Sequence, residues 1–328
     1  MDIKSLFMKQ KMMRTVLLSL VPLALAAVFL FGWRLIMLAV LVALTAAVAE
    51  YLVMRSISGN KAKVSEAVFV SAALFTLSLP PQTPVWIALA GIVFGVVFGK
   101  AVFGGFGRNI FNPALVGRCF IYIAFPHQMT MSWAQPFLTL PGGFASWTVA
   151  ADAVTAATPI ITYNTAGVLT PPLNLFLGTI AGSMGETSAL LILLAGIFLV
   201  YRKVASWQLM VSTVVSGTLL SAILHYAGVT HASGMLAAPP LFALLAGGFL
   251  FGAVFMVTDP VSAPKSKEAK WIAGSLVGLI TVVIRTFSLF TEGMMFAILI
   301  VNALTPLIEL KVSKLQTRVK QPEKEATP

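Results

Sequence analysis

Long apolar runs separated by short polar breaks make up most of this chain. A membrane-spanning helix needs about 20 mostly apolar residues. The runs here are apolar along their whole length, rather than at the 3.6-residue spacing of a helix with one polar face. The pattern therefore predicts an all-α polytopic membrane protein with about ten transmembrane helices. The ten runs lie at about residues 15–32, 35–54, 65–79, 84–99, 113–125, 187–200, 207–226, 236–257, 271–289 and 293–310.

The runs at 113–125 and 187–200 are short for a full span and are flanked by Gly and Pro. Such runs are typical of broken or half-spanning helices. The two halves of the chain also echo each other locally, in two pairs of segments. These are 65–67 with 185–189, and Gly-Gly-Phe before Asn-Pro at 104–113 with Gly-Gly-Phe before Asp-Pro at 247–260. Halves of five crossings have opposite orientations, so we expect an inverted repeat.

This pattern divides the chain into four parts. We expect a first five-helix membrane half at 1–125, an extracytoplasmic loop region at 126–185, a second five-helix half at 186–310 and a basic tail at 311–328.

Lys and Arg cluster in alternate breaks between the runs, and residues 126–172 contain neither. By the positive-inside rule, the basic breaks lie in the cytoplasm. Both termini are then cytoplasmic, and the loop at 126–172 is extracytoplasmic.

Composition agrees with the membrane assignment. Hydrophobic residues make up 58% and charged residues 10% of the chain, against about a quarter charged in soluble domains. A net charge of +11 would suggest nucleic acid in a soluble protein. In these loops it favours contact with anionic lipid headgroups instead, and we expect no nucleic-acid partner.

The chain has one cysteine, Cys119, and three histidines without metal-ligand spacing. It cannot by itself ligate a four-cysteine iron–sulfur cluster or a zinc ion through cysteines. We expect no metal site.

Several polar residues stand at the edges of apolar runs. Asn112-Pro113, Thr158-Pro159 and Asp259-Pro260 are typical of helix starts, with a capping side chain before a proline in the first turn. Glu66 and Glu186 open apolar runs; carboxylates there either stabilise the helix dipole or belong to an ion path. Our ion-path candidates are Glu66, Asn112, Glu186 and Asp259.

Five segments together resemble a known family, which contains the D subunit of the Rnf complex and the B subunit of Na+-translocating NADH:quinone oxidoreductase. They lie at 104–118 (GGFGRNIFNPALVGR), 152–158 (DAVTAAT), 185–190 (GETSAL), 258–264 (TDPVSAP) and 292–299 (EGMMFAIL). They follow one another along nearly the whole chain.

The resemblance implies a membrane subunit of an ion-pumping redox complex in a bacterial inner membrane. It implies FMN bound through a phosphoester to Thr158, with Asp152, Thr155 and Ala157 as further residues of the flavin motif. Ala156 stands where many members have Gly. A flavin transferase and the other subunits of the complex are the implied partners, and a second, non-covalent riboflavin is consistent with the family.

Within the family, the short stretch before the first apolar run favours the Rnf type, which works as a ferredoxin:NAD+ oxidoreductase coupled to Na+ or H+. The B subunit of the quinone reductase is the alternative, and some motifs suit it equally well. A different class, a non-redox solute channel or transporter, would also have broken helices. The motif at 152–158 distinguishes them, because a channel has no need of a flavin.

Overall fold

Helices account for nearly all regular structure in the computed structural model, which describes residues 7–59, 62–149 and 156–320. The described strands are the two-residue β1 (Phe7–Met8) and β2 (Val64–Ser65), which pair in parallel. The predicted all-α fold class is confirmed. The α-helices are α1 (Lys11–Phe31), α2 (Arg34–Ser58), α3 (Ala67–Leu77), α4 (Val85–Gly99), α5 (Pro113–Ala124), α6 (Pro126–Met131), α7 (Pro159–Ala166), α8 (Pro172–Leu177), α9 (Ala189–Tyr201), α10 (Trp207–Tyr226), α11 (Pro240–Leu245), α12 (Phe249–Phe251), α13 (Lys267–Phe287) and α14 (Gly293–Lys320).

Each of the ten apolar runs coincides with helical structure. Within the described residues, six helical stretches are long and apolar enough to cross a membrane. The run at 236–257 is broken instead: α11 ends before Gly247 and Gly248, which have φ of +65° and +69°. Glycine adopts this left-handed conformation without steric cost. The chain then continues through α12 into a π-helical turn at Gly252–Met256.

Three of the apolar runs form short helices. The sequence predicted this for the runs at 113–125 and 187–200, but not for the run at 65–79. α3, α5 and α9 have 11, 12 and 13 residues. At 1.5 Å per residue they are about 17–20 Å long, well below the roughly 30 Å of a bilayer core. At least one end of each helix therefore lies at membrane depth, where polar side chains must satisfy the backbone.

Close helix packing relies on small residues. A Cβ placed on Gly95 of α4 would come within 2.9 Å of the backbone nitrogen of Gly117 in α5. Gly274 and Gly278 give α13 the same close approach to α10. Small residues let membrane helices approach at backbone distance. Most buried apolar residues form one large cluster, and a smaller one lies around Tyr163 and Phe242.

Loop contacts separate the helix ends of the first half into two groups. In one group, Arg14 near the start of α1 pairs with Glu66 before α3. In the other, Arg34 at the start of α2 bonds through its backbone to Trp147 and through its guanidinium to the carbonyls of Pro81 and Thr83. The loop after α6 thus packs at the end opposite to Glu66.

Two details differ from expectation. Asp259-Pro260 is not a helix start: the Asp259 carboxylate accepts bonds from Ser262, and α13 begins only at Lys267. Pro264 explains this, because proline disfavours helical geometry at the residue before it and has no N–H to donate. In addition, α14 continues into the expected tail as far as Lys320.

Candidate functional site

Thr158 occupies the N-cap of α7, as the sequence predicts. Its hydroxyl accepts a bond from the backbone nitrogen of Ile161 at 3.4 Å, and Pro159 takes the first helical position. The remaining free N–H groups of the first turn and the helix dipole make this point attractive to an anion.

Thr158 lines a cavity that offers about 30 Å³ to a water-sized sphere, so it has room for about two water molecules. The walls come from five parts of the chain: the loop after α6, the start of α7, the segment before α9, the turn before α12 and the turn before α14. The side chains and backbone that line it belong to Trp133, Thr158, Pro159, Ile160, Ile180, Ala181, Gly182, Ser183, Glu186, Thr187, Gly247, Gly248, Thr291 and Glu292.

An ion-pair cluster forms one side of this cavity. Arg118 of α5 donates to Glu186 at 2.8 Å and to Glu292 at 2.5 Å, and lies 3.4 Å from the hydroxyl of Ser183. Its side chain is 2% exposed. Removing a charge from water is costly unless it is paired, so this guanidinium fixes both carboxylates in place.

The Gly247–Gly248 turn forms another wall. A Cβ on Gly248 would lie 2.5 Å from a carboxylate oxygen of Glu186, so only glycine allows this contact. Behind the turn, Arg285 donates to the carbonyls of Ala243, Ala246 and Gly247 at the end of α11. A cation is favourable at a helix C-terminus, and Arg285 makes no ion pair within the described part of the chain.

Asn112 and Asp259, from the two echoing segments, line a second cavity, which offers about 40 Å³ to a water-sized sphere. Asn112 caps α5 by accepting from Ala114 at 3.0 Å, and its amide lies 3.4 Å from the carbonyl of Met256. Lys100 also lines this cavity.

Lys100 belongs to a buried network that sequence reasoning missed. Its ammonium group donates to Glu50 at 3.0 Å and to Ser65 at 2.5 Å, and all three residues are 1% exposed. Glu50 could have revealed this network from the sequence, because a carboxylate inside an apolar run is a functional candidate by default. Glu292 entered the sequence analysis only as the first residue of the segment at 292–299, and its pairing with Arg118 was also missed.

The ion-path candidates therefore occupy three places. Glu186 lies at the Thr158 cavity, whereas Asn112 and Asp259 share the second cavity. Glu66 is apart from both: it accepts from the backbone of Gln10 at 2.6 Å and pairs with Arg14 at 2.5 Å.

Of the flavin-motif residues, Ala157 is exposed beside Thr158. Asp152 and Thr155 lie outside the described residues. Within residues 7–59, 62–149 and 156–320, no group of three His, Cys, Asp or Glu side chains is arranged to hold a metal ion.

Comparison with known proteins identifies the family. The NQR2, RnfD, RnfE family matches residues 3–317. The chain is 42% identical to the B subunit of the Na(+)-translocating NADH-quinone reductase of Pseudoalteromonas atlantica over 78% of its length, and 44% identical to the protein of the same name from Ectopseudomonas mendocina over 76%. The aligned regions cover 62% and 60% of these relatives, so the chain spans about three fifths of their length. The chain belongs to the NQR2, RnfD, RnfE family.

Proposed function

We propose that this chain is the FMN-carrying membrane subunit of a redox-driven, ion-translocating oxidoreductase complex. One observation carries the proposal: the hydroxyl of Thr158 stands at the N-terminus of α7, beside a small cavity that Trp133 also lines. The sequence motif that the family uses for covalent flavin ends on this same residue.

The residues around Thr158 fit a flavin phosphoester. The first turn of α7 offers N–H groups and a favourable dipole to the phosphate. Trp133 lines the cavity, and its buried indole nitrogen has no hydrogen-bond partner among the described residues. This N–H would donate to the phosphate or to a flavin carbonyl. Gly247 and Gly248 add no side chains to the lining.

When bound there, the flavin would supply one- or two-electron transfer. Thr158 would fix it covalently, so that it cannot diffuse away between turnovers, and the walls would orient it. The 328 residues have a single cysteine and no dinucleotide fingerprint, so we propose that partner subunits deliver and remove the electrons.

Two complexes of this kind are candidates. We favour an Rnf-type ferredoxin:NAD+ oxidoreductase, with the B subunit of a Na+-translocating NADH:quinone oxidoreductase as the alternative. The names of the relatives above favour the alternative. Affinity purification of the tagged chain from its own cells would decide, because the two complexes contain different electron-input subunits.

We propose an orientation with both termini in the cytoplasm of a bacterial inner membrane and Thr158 outside. The positive-inside pattern supports this, as does the packing of the Lys/Arg-free loop at the end opposite to Arg14 and Glu66. Attachment of the flavin would then require an extracytoplasmic flavin transferase.

The four ion-path residues remain candidates for coupling to Na+ or H+. Asn112 and Asp259 are supported by the cavity that they share. A second, non-covalent flavin such as riboflavin rests on the family resemblance alone. Neutralising Asp259 should leave electron transfer intact and abolish ion pumping; an Asp259→Asn protein that still pumps would remove Asp259 from the path.

The decisive experiment is intact mass and in-gel flavin fluorescence after co-expression with a flavin transferase. We expect the wild type to gain one FMN less one water, and Thr158→Ala to gain nothing. Thr165→Ala is the matched control, since Thr165 is an exposed threonine in the last turn of α7. An unmodified wild type, beside a control substrate that is modified, would favour the channel or transporter class instead.

A further inference from the structure

The ion-pair cluster beside Thr158 contains more acid than base. Two carboxylates, Glu186 and Glu292, share the single guanidinium of Arg118. The Arg118 side chain is 2% exposed, whereas those of Glu186 and Glu292 are 11% and 16% exposed and both line the cavity. The two carboxylates of the cluster therefore face the cavity, and the Arg118 guanidinium lies behind them.

We propose that this cluster sets the reduction potential of the group carried on Thr158, with Arg118 as the positioning residue that holds both carboxylates at the cavity. The inference rests on the proposed function. Arg118 joins α5 to the segment before α9 and to the start of α14, residues separated by 68 and 174 positions in sequence. Both carboxylates thus keep a fixed position relative to Thr158.

The physical reason is Coulombic. The formal charge of the three side chains is one negative unit, and charges in a protein interior interact with an effective dielectric of about 20 rather than 80. An electron that arrives in the cavity adds negative charge beside Glu186 and Glu292. Arg285, behind Gly247, brings the formal charge of the four side chains to zero, so the loss of either carboxylate leaves a net positive charge that favours the electron.

One consequence concerns coupling. Carboxylates at the cavity disfavour an electron that arrives alone and favour one that arrives together with a monovalent cation, Na+ or H+. The cluster would thereby link electron arrival to cation uptake at the same cavity, without requiring Glu186 to be a free ion ligand.

The test removes one negative charge at a time without changing side-chain size. Glu292→Gln and Glu186→Gln are compared with wild type and with Glu268→Gln, an exposed glutamate in the first turn of α13. Each full-length protein is co-expressed with a flavin transferase, its FMN content is read from intact mass, and its flavin potential is titrated with a chemical reductant. The signal missing from Thr158→Ala identifies the relevant flavin.

In Glu292→Gln and Glu186→Gln, we expect the flavin to accept its first electron about tenfold more favourably than in wild type. The estimate is for the removal of one unit charge roughly 10 Å from the flavin. Tenfold corresponds to a shift of about +59 mV for one electron. Glu268→Gln should not shift. Unchanged potentials in Glu292→Gln and Glu186→Gln proteins that carry FMN would refute the inference but leave the proposed function intact. Loss of FMN in these variants alone would also refute it, since the cluster would then serve attachment. A wild type without FMN would refute the proposed function itself.

Discussion

The buried pair of Glu50 and Lys100 provides a direct test of how this bundle is held together. Lys100 donates to both Glu50 and Ser65, and all three residues are 1% exposed. Glu50→Gln keeps the shape of the side chain but leaves an ammonium ion without its counter-charge. Breaking a buried ion pair in this way costs about 3–5 kcal/mol.

The magnitude follows from burial. Water screens an exposed pair, which therefore contributes little, and Arg14 with Glu66 is the internal comparison, since the Arg14 side chain is 54% exposed. Lys100 is 1% exposed, so bulk water cannot replace Glu50, and Ser65 supplies only a neutral acceptor. We therefore expect Glu50→Gln to destabilise the protein at least three times as much as Arg14→Gln.

A double-mutant cycle separates pairing from packing. Lys100→Met alone leaves a buried carboxylate and should cost a similar 3–5 kcal/mol, whereas Glu50→Gln with Lys100→Met removes both charges and should recover most of the loss. Unfolding of each purified protein in detergent is followed by tryptophan fluorescence against denaturant. A single variant within about 1 kcal/mol of wild type would refute the argument that this pair is desolvated, as would a double variant no better than the singles.

Two further predictions concern helix packing and the loop face. Gly95→Ala should destabilise by about 1–3 kcal/mol, because the added methyl group meets the backbone of α5 at Pro113 and overpacked contacts cost this much; a melting temperature equal to that of wild type would contradict it. Arg34→Ala removes two charged hydrogen bonds to the carbonyls of Pro81 and Thr83 and should cost about 1.5–3 kcal/mol per bond, while Arg34→Lys should recover part of this in the same melt.

The sequence was sufficient for features that depend on neighbouring residues. The apolar runs located the helices, because a helix in lipid must be apolar along its whole length. Asn112 and Thr158 were correctly predicted as N-caps, since a capping side chain followed by proline is a local signal. The same signal was wrong at Asp259, where Pro264 prevents the turn from continuing as a helix.

Pairing across the bundle was out of reach for the opposite reason. Arg118 and Glu292 are 174 residues apart, and the sequence near either residue does not predict its partner. A charged residue inside an apolar run does predict that some partner exists, because the charge must lie beside an opposite charge or a polar cavity. Glu50 and Lys100 obey this rule by pairing with each other, and Arg118 obeys it with Glu186 and Glu292.

This rule also explains why the polar cavities lie where the short helices end. α5 begins at the second cavity with Asn112, and Arg118 in the middle of α5 pairs with Glu186 and Glu292, which line the Thr158 cavity. A helix of 12 residues is about 18 Å long, so its two ends cannot both reach the membrane surfaces. Backbone groups at such ends need polar partners inside the bundle. The short helix therefore requires polar groups at membrane depth, and a cofactor or an ion in the bundle requires the same groups.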